Sequence, residues 1–495
     1  MTQVDLLSAP RWKAAQLGLP MPDSAHAVSA CLPLWSHNIG YEEGDAAVID
    51  QLQAAYPRFC LHPMVRQLRE QTLQQNADRG LLFPSHTVAE RAIKYVSSRG
   101  GKTGMLVPIQ DQPVCGVVVA EDDFGKLREY WQHAGEVVSS RMAEQLLHGG
   151  VITFSDTPSR QLVKQRVADL QQADVSDVRL FPSGMAAMAA AWRIVRQRDP
   201  IHPSVQFGFP YVDTLKIQQR FQPADCRFFS RGSSADLNAL AELLQHQKIS
   251  AVFCETPANP LLICPDLIRL RQLDDQYGFL LIVDDTLAAC INLDVLPLAD
   301  LVVTSLTKYF SGYGDVLAGS VTLNRHSGQY LQLSQWMDTD FQELLSDIDV
   351  DVLEQNSRDV VSRVTTINHN AQVIAQRLSQ HPAVEQVWHP SVHQQHEYHQ
   401  LQRVGGGYGG LLSFVVRSPG VNTQAVFDHL AVCKGPNLGT YFTLCCPYTI
   451  LAHYNELDAV EEYGVSRWLL RVSIGTEPVE ELWLRFQTAL QHVTM

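Results

Sequence analysis

The chain predicts an α/β protein with three parts: a large domain on a mostly parallel sheet, a smaller C-terminal α+β domain, and an N-terminal extension. Three observations carry this. From about residue 160, short apolar runs alternate with helical segments, the pattern of βαβ units. A Gly-rich stretch at 405–410 runs into an apolar segment at 411–416, where the composition changes. The region before 156 lacks the alternation and is punctuated by Pro and Gly. The expected divisions are therefore 1–155, 156–400 and 401–495.

In chain order, the extension reads as a helix over 44–55, an apolar run at 114–120, and a helical stretch at 127–147 interrupted by Gly135. Residues 160–173 have the spacing of an amphipathic helix. A strand at 178–181 leads through Pro182-Ser183-Gly184-Met185 into an Ala-rich helix ending near 196. Further strands fall at 205–209, 250–254, 279–283 and 301–304, short and apolar throughout, as strands buried on both faces must be. Helices at 235–245 and 265–277 separate them, and a long helical stretch at 328–380 precedes the C-terminal domain.

Composition excludes several classes of partner. A net charge of −14 and a pI near 5.7 oppose nucleic acid and anionic membrane surfaces. The 10 cysteines have no C-x-x-C pair and no metal-ligand spacing, so no metal is expected and a reducing cytoplasm is the simplest compartment. Neither a secretory leader nor a run of about 18 apolar residues is present, so no membrane span is expected.

The stretch 300–324 carries the chemistry. An apolar run at 301–303 ends in Thr304-Ser305-Leu306-Thr307-Lys308, with glycines at 312, 314 and 319 beyond it. A lysine where a buried strand opens into a Gly-rich loop can be desolvated, which lowers its pKa and lets the neutral amine attack a carbonyl. Ser305 and Thr307 can donate to a phosphate while Lys308 holds an aldehyde, the combination that pyridoxal 5'-phosphate requires. Taken alone, Lys308 reads more readily as a strand-end lysine in solvent, as most lysines are exposed.

Other strand ends add suitable groups, since ligands bind beyond the carboxyl ends of such strands. Ser183-Gly184-Met185 opens a helix whose first N–H groups favour phosphate, although a plain N-cap serine reads the same way. Asn259, between turn prolines, could donate to a ring oxygen or simply make the turn. Asp284-Asp285 follows an apolar run, where a carboxylate needs a partner. A pyridinium nitrogen would serve; an N-cap or a Mg²⁺ ligand are the alternatives.

Taken together, Ser183-Gly184-Met185-Ala186-Ala187, Glu255-Thr256-Pro257-x-Asn259-Pro260, Val283-Asp284-x-Thr286, Ser305-x-Thr307-Lys308-Tyr309 and Arg471-x-Ser473-x-Gly475-x-Glu477 resemble, in order, the Cys/Met-metabolism family of pyridoxal-phosphate enzymes. The resemblance spans about 155–490 and implies the transferase-like fold of that family. Asn38-Ile39-Gly40-Tyr41, Tyr56-Pro57-Arg58-Phe59, Trp131-Gln132-His133 and the run from Phe207 to Thr214 resemble its long, fungal-type cystathionine γ-synthase branch.

The resemblance implies roles. Lys308 would bind the cofactor aldehyde and move protons, and Asp284 would pair with the ring nitrogen. Tyr211 would stack on the ring, with Asn259 near its hydroxyl. Ser183, Gly184, Met185, Ser305 and Thr307 would hold the phosphate. Arg471 would clamp the substrate carboxylate, unless it is a structural partner of Glu477, and Asn437 would border the substrate. The implied reaction is γ-replacement on an activated homoserine with cysteine. A γ-lyase, a sulfhydrylase, a carbon nucleophile, or a silent binding homologue are the alternatives. The expected partners are small amino acids and further copies of the chain, because the family builds its sites across a dimer interface.

Three departures stand out. The family's Tyr-x-Arg, which reaches a neighbouring subunit's phosphate, is not found just before Thr157-Pro158-Ser159. Arg141 is the favoured substitute, with Tyr56 and Arg58 the alternative. The usual Gly-His-Ser-Asp reads Gly312-Tyr313-Gly314-Asp315, and the usual Ser-Leu-Gly-Gly reads Asn437-Leu438-Gly439-Thr440.

Overall fold

A computed structural model describes residues 4–54, 56–221, 225–393 and 395–494. The N-terminal region holds a small antiparallel sheet of β1 (Gly80–Phe83), β2 (Met105–Pro108) and β3 (Cys115–Val118), in the order β1-β3-β2. The apolar run expected at 114–120 is β3. The helical stretch expected at 127–147 is two helices, Phe124–Ala134 and Ser140–Leu147. Gly135 ends the first at φ 66°, a left-handed cap that suits glycine. Only Ala46–Ile49 is helical in the stretch expected at 44–55, whose last residue is not described.

The large sheet has seven strands: β4 (Val178–Phe181), β5 (Ser204–Phe207), β6 (Cys226–Phe229), β7 (Ala251–Glu255), β8 (Leu280–Asp284), β9 (Leu301–Thr304) and β10 (Gly319–Leu323). Their order is β4-β10-β9-β8-β7-β5-β6. Neighbours from β9 to β6 pair in parallel, while β10 runs antiparallel to both β9 and β4. The carboxyl ends of β4, β7, β8 and β9 therefore share one edge. The Ala-rich helix Gly184–Arg198 buries Ala186, Ala187, Ala189, Ala190 and Ala191, small side chains that let it lie close to the sheet.

The C-terminal sheet comprises β11 (Val384–Trp388), β12 (Leu411–Val416), β13 (Cys433–Lys434), β14 (Leu444–Pro447) and β15 (Leu470–Ser473), ordered β11-β12-β15-β14-β13. It begins upstream of residue 401, where the composition changes. Between the sheets, the stretch at 328–380 is three helices, the last being Val360–Ser379. The N-terminal segment runs over its own chain: Val28 N–H donates to Gly314 O (2.9 Å), Leu32 N–H donates to Lys434 O (3.0 Å), and Trp35 stacks on Trp468. No helix among the described residues is long and apolar enough to cross a membrane.

Candidate active site

Beyond β9 the chain turns, and Lys308 lies in that turn. Its Nζ donates to Asn437 Oδ1 (2.6 Å) and sits 4.5 Å from the centre of the Tyr56 ring. Burial holds the amine pKa below its ordinary value; Tyr56 opposes the shift, while Arg471 and Arg58 add to it. Gly439, at φ 78°, is required here, because a Cβ would come within 2.9 Å of Lys308 Cα.

The acidic pair after β8 divides into two roles. Asp285 is 1% exposed and satisfied, accepting from Gln171 Nε2 (3.0 Å) and from the Thr304 hydroxyl. Asp284 is only partly buried and accepts one bond, from Thr286 N–H (2.9 Å). Burial pushes its pKa up to about 6, and Asp285 adds to the effect. No basic side chain among the described residues pairs with it. Glu255 faces Asp284 across the β7–β8 register and is itself pushed well up, by burial and then by that neighbour.

Arg471, on β15, is the complementary orphan. It is 6% exposed, with Nη1 donating to Asn259 Oδ1 (3.2 Å), Nη2 to Pro436 O (2.7 Å), and its guanidinium 5.0 Å from the Tyr448 ring. No carboxylate among the described residues pairs with it. Glu477 instead accepts from Thr443 N–H (2.7 Å) and Oγ1 (2.8 Å), so the structural salt bridge considered from sequence is not made. A buried guanidinium held only by neutral acceptors is prepared for a substrate carboxylate.

The phosphate end is built by close approach. A Cβ on Gly184 would lie 2.6 Å from Ser305 Cβ, and one on Gly319 would lie 2.3 Å from Ser183 O. These glycines let the positive end of helix Gly184–Arg198 close against the end of β9, where the Gly184 and Met185 N–H groups would serve an anion. Ser183 is committed: its Oγ caps Ala186 N–H (3.0 Å) and donates to Gly135 O (2.7 Å). Thr307 Oγ1 is likewise engaged with Ala318, donating to its carbonyl (3.1 Å) and accepting from its N–H (3.0 Å). Ser305 is the hydroxyl left over. Gly184→Ala is expected to raise the cofactor concentration for half-saturation about tenfold while the fold persists, read by titrating the apoprotein.

Tyr211 precedes helix Val212–Arg220, donating its N–H to Glu255 Oε2 (2.9 Å) and accepting through its hydroxyl from Arg58. Asn259 is fixed between Arg471 and the Tyr448 hydroxyl (3.3 Å). Arg141 requires a correction. Its guanidinium is held by Asp315 O (2.6 Å), Asp315 Oδ2 (3.3 Å) and Asp349 Oδ1 (3.5 Å), so its charge is already spent on carboxylates. The Tyr-x-Arg that reaches Lys308 and Tyr211 is Tyr56-Pro57-Arg58. Its spelling was visible, but its distance from Thr157 in sequence concealed its place. Glu255 stood in the Glu255-Thr256-Pro257-x-Asn259-Pro260 motif without a role assigned to it, and Tyr448 had no sequence signal of its own.

The family described as Cys/Met metabolism PLP-dependent enzyme matches residues 144–491, and the one described as fungal trans-sulfuration enzyme, N-terminal domain, matches 64–139. The chain is 32% identical to the cystathionine gamma-synthase of Neurospora crassa, over 96% of this chain and 98% of that protein. It is 31% identical to that of Saccharomyces cerevisiae, over 95% and 98%. Among solved structures, cystathionine gamma synthase from Xanthomonas oryzae pv. oryzae in complex with cystathionine superposes with a TM-score of 0.57 at 23% identity, covering 68% of this chain and 86% of that one. This last likeness concerns the fold.

Proposed function

Because the chain belongs to the Cys/Met-metabolism family of pyridoxal-phosphate-dependent enzymes and is cystathionine gamma-synthase-like, we propose that it carries out γ-replacement on an activated homoserine, O-acyl or O-phospho, with cysteine to give cystathionine. One observation supports this most: an unpaired, buried Arg471 stands one residue of loop from the Lys308 amine. Arg471 bonds Pro436 O, and Lys308 bonds the next side chain, Asn437. That spacing suits a substrate that presents a carboxylate and a reacting α-carbon together. The curated relatives of full length, named cystathionine gamma-synthases, supply the choice of nucleophile.

When bound, pyridoxal phosphate supplies the electron sink that makes the α and β protons of the amino acid removable. Lys308, neutral at the pH its burial permits, takes the Cα proton and then serves as the proton carrier for Cβ. The γ-substituent leaves with its bonding pair and carries off the thiol proton, the cysteine sulfur forms the new bond at Cγ, and Lys308 returns the protons it removed to Cβ and Cα. Arg471 and Asn259 hold the substrate carboxylate, and Tyr211, tied to Arg58 and Glu255, fixes one wall. The Asn437-Leu438-Gly439-Thr440 loop borders this space, so its departure from the usual residues bears on the leaving group.

The deciding experiment presents O-acetyl-, O-succinyl- and O-phosphohomoserine with cysteine, sulfide or no thiol, and identifies products by mass spectrometry. Cystathionine is the expected product. Oxobutyrate alone would make the enzyme a lyase, and homocysteine from sulfide would make it a sulfhydrylase. Arg471→Lys is expected to raise KM about ten- to a hundredfold with a smaller change in kcat, because loss of one charged hydrogen bond is worth about 1.5–3 kcal/mol.

A further inference from the structure

We propose that each chain completes its own cofactor site, with Tyr56 and Arg58 of the N-terminal segment serving the Lys308 of the same chain and His133 and Asp213 acting as their anchor. The proposal rests on Lys308 as the attachment point and gives the N-terminal region a purpose: it supplies from within what the family takes from a neighbouring subunit.

The geometry is a closed network. Arg58 is 2% exposed, and its Nη1 bonds Asp213 Oδ2 (2.5 Å) and Gln132 O (2.8 Å), while Nη2 reaches the Tyr211 hydroxyl. Its guanidinium lies 5.2 to 5.6 Å from the rings of Tyr56, Phe59 and Tyr211. Asp213, 1% exposed, is shared with His133 Nδ1 (2.8 Å). Thus residues 56–58 and 132–133 come from the N-terminal region, and Tyr211 and Asp213 from the start of helix Val212–Arg220 in the domain that carries Lys308.

Such a pair is not made casually, because a buried charge with its partner removed costs several kcal/mol. Tyr56 completes the link by placing its ring 4.5 Å from Lys308 Nζ. The flanking chain is held to the same molecule on both sides: Leu32 and Trp35 are anchored on the C-terminal sheet, and Gln132 and His133 end a helix packed against Gly184–Arg198. Both anchors lie on the chain whose Lys308 the segment touches, which is the placement the proposal rests on. Arg58 and Tyr56 are positioning residues for that amine.

The test pairs two differently tagged chains, Lys308→Ala and Arg58→Met, purified through both tags so that every oligomer contains each. Only the Arg58→Met chain then carries Lys308. Pyridoxal phosphate is titrated in, trapped with borohydride, and the labelled Lys308 peptide is counted by mass spectrometry, with turnover measured in parallel. Alone, Arg58→Met is expected to need at least tenfold more cofactor than wild type for half-labelling. In the mixed oligomer the requirement should stay that of Arg58→Met, with no turnover regained.

Recovery of wild-type half-labelling, with up to about half of wild-type activity, overturns the proposal, since Arg58 would then be arriving from the other chain. Tyr56→Ala in place of Arg58→Met repeats the test without unpairing Asp213, should that variant fold poorly. Wild-type chain that turns over as a monomer supports the proposal directly. If wild-type chain itself shows no label at Lys308, the attachment reading fails, which is a separate outcome.

Discussion

Lys308→Ala is expected to lower turnover by at least about 10⁴-fold, the upper range for a single group that transfers protons in the rate-determining chemistry. Borohydride should then leave no cofactor on the chain, whereas in wild type the modified peptide should contain residue 308. The loss should not come from unfolding. The folded amine has a depressed pKa, so in neutral solution folding must strip or desolvate a proton that the unfolded chain keeps. Removing the group removes that cost, and the apoprotein is expected to melt no lower than wild type below the ordinary lysine pKa. A second readout comes from Tyr56. Burial tends to raise its phenol pKa, but Lys308 and Arg58 outweigh burial and hold it below the ordinary value. In Lys308→Ala the Tyr56 titration, followed by ultraviolet difference absorbance, should move upward. An active Lys308→Ala enzyme would falsify the assignment of the amine.

How far the sequence led can be argued from single residues. The strands β7, β8 and β9 were legible because strands covered on both faces are largely apolar runs, and β4, although Arg179 interrupts it, was marked by the Pro182-Ser183-Gly184 turn that follows it. β10 was not, since Gly319–Leu323 follows the Gly-rich loop and its antiparallel return depends on pairing with β4 and β9, 138 to 144 positions and 16 to 22 positions away respectively by the register Gly319↔Phe181 to Thr322↔Val178 and Ser320↔Thr304 to Leu323↔Leu301. β6 was missed because Cys226–Phe229 is a half-exposed edge with no continuous apolar run. The site divided along the same line. Asp284 and Arg471 stand on strands and Lys308 in the turn just beyond one, places that topology fixes, and burial decides their chemistry. Arg141 and Arg58 could not be told apart in the sequence, because each is an arginine amid hydroxyl or aromatic neighbours. What separates them is which carboxylate each meets in space: Asp315 and Asp349 for Arg141, Asp213 beside Tyr211 for Arg58. Ser183 and Thr307 show a further limit, since a hydroxyl beside a site can be used up on the backbone before a ligand arrives.

Asp284→Asn is expected to act in opposite directions on catalysis and on the empty protein. With cofactor, the amide preserves shape but removes the negative charge that would keep the ring nitrogen protonated, and kcat/KM should fall on the order of 10²–10³-fold, the range for removing one preorganised electrostatic contact. Without cofactor, the same carboxylate is a liability. Its pKa is raised from the ordinary 3.8 to about 6, so the folded state binds a proton more tightly than the unfolded chain does. Stability from this group is therefore complete below about pH 4 and is lost as pH rises through about 6. Two units correspond to about 3 kcal/mol, and partial exposure of the side chain reduces that to roughly 1–2 kcal/mol. Apo Asp284→Asn should consequently melt higher than apo wild type at pH 8, with the two curves meeting near pH 4. Cofactor should reverse their order at pH 8, because only the aspartate gains a cationic partner. Thermal unfolding of both proteins with and without pyridoxal phosphate across that range checks the crossing. Equal melting of the apo forms at pH 8 would mean that Asp284 already has a counter-charge, and the site would then have no vacancy for a pyridinium nitrogen to fill.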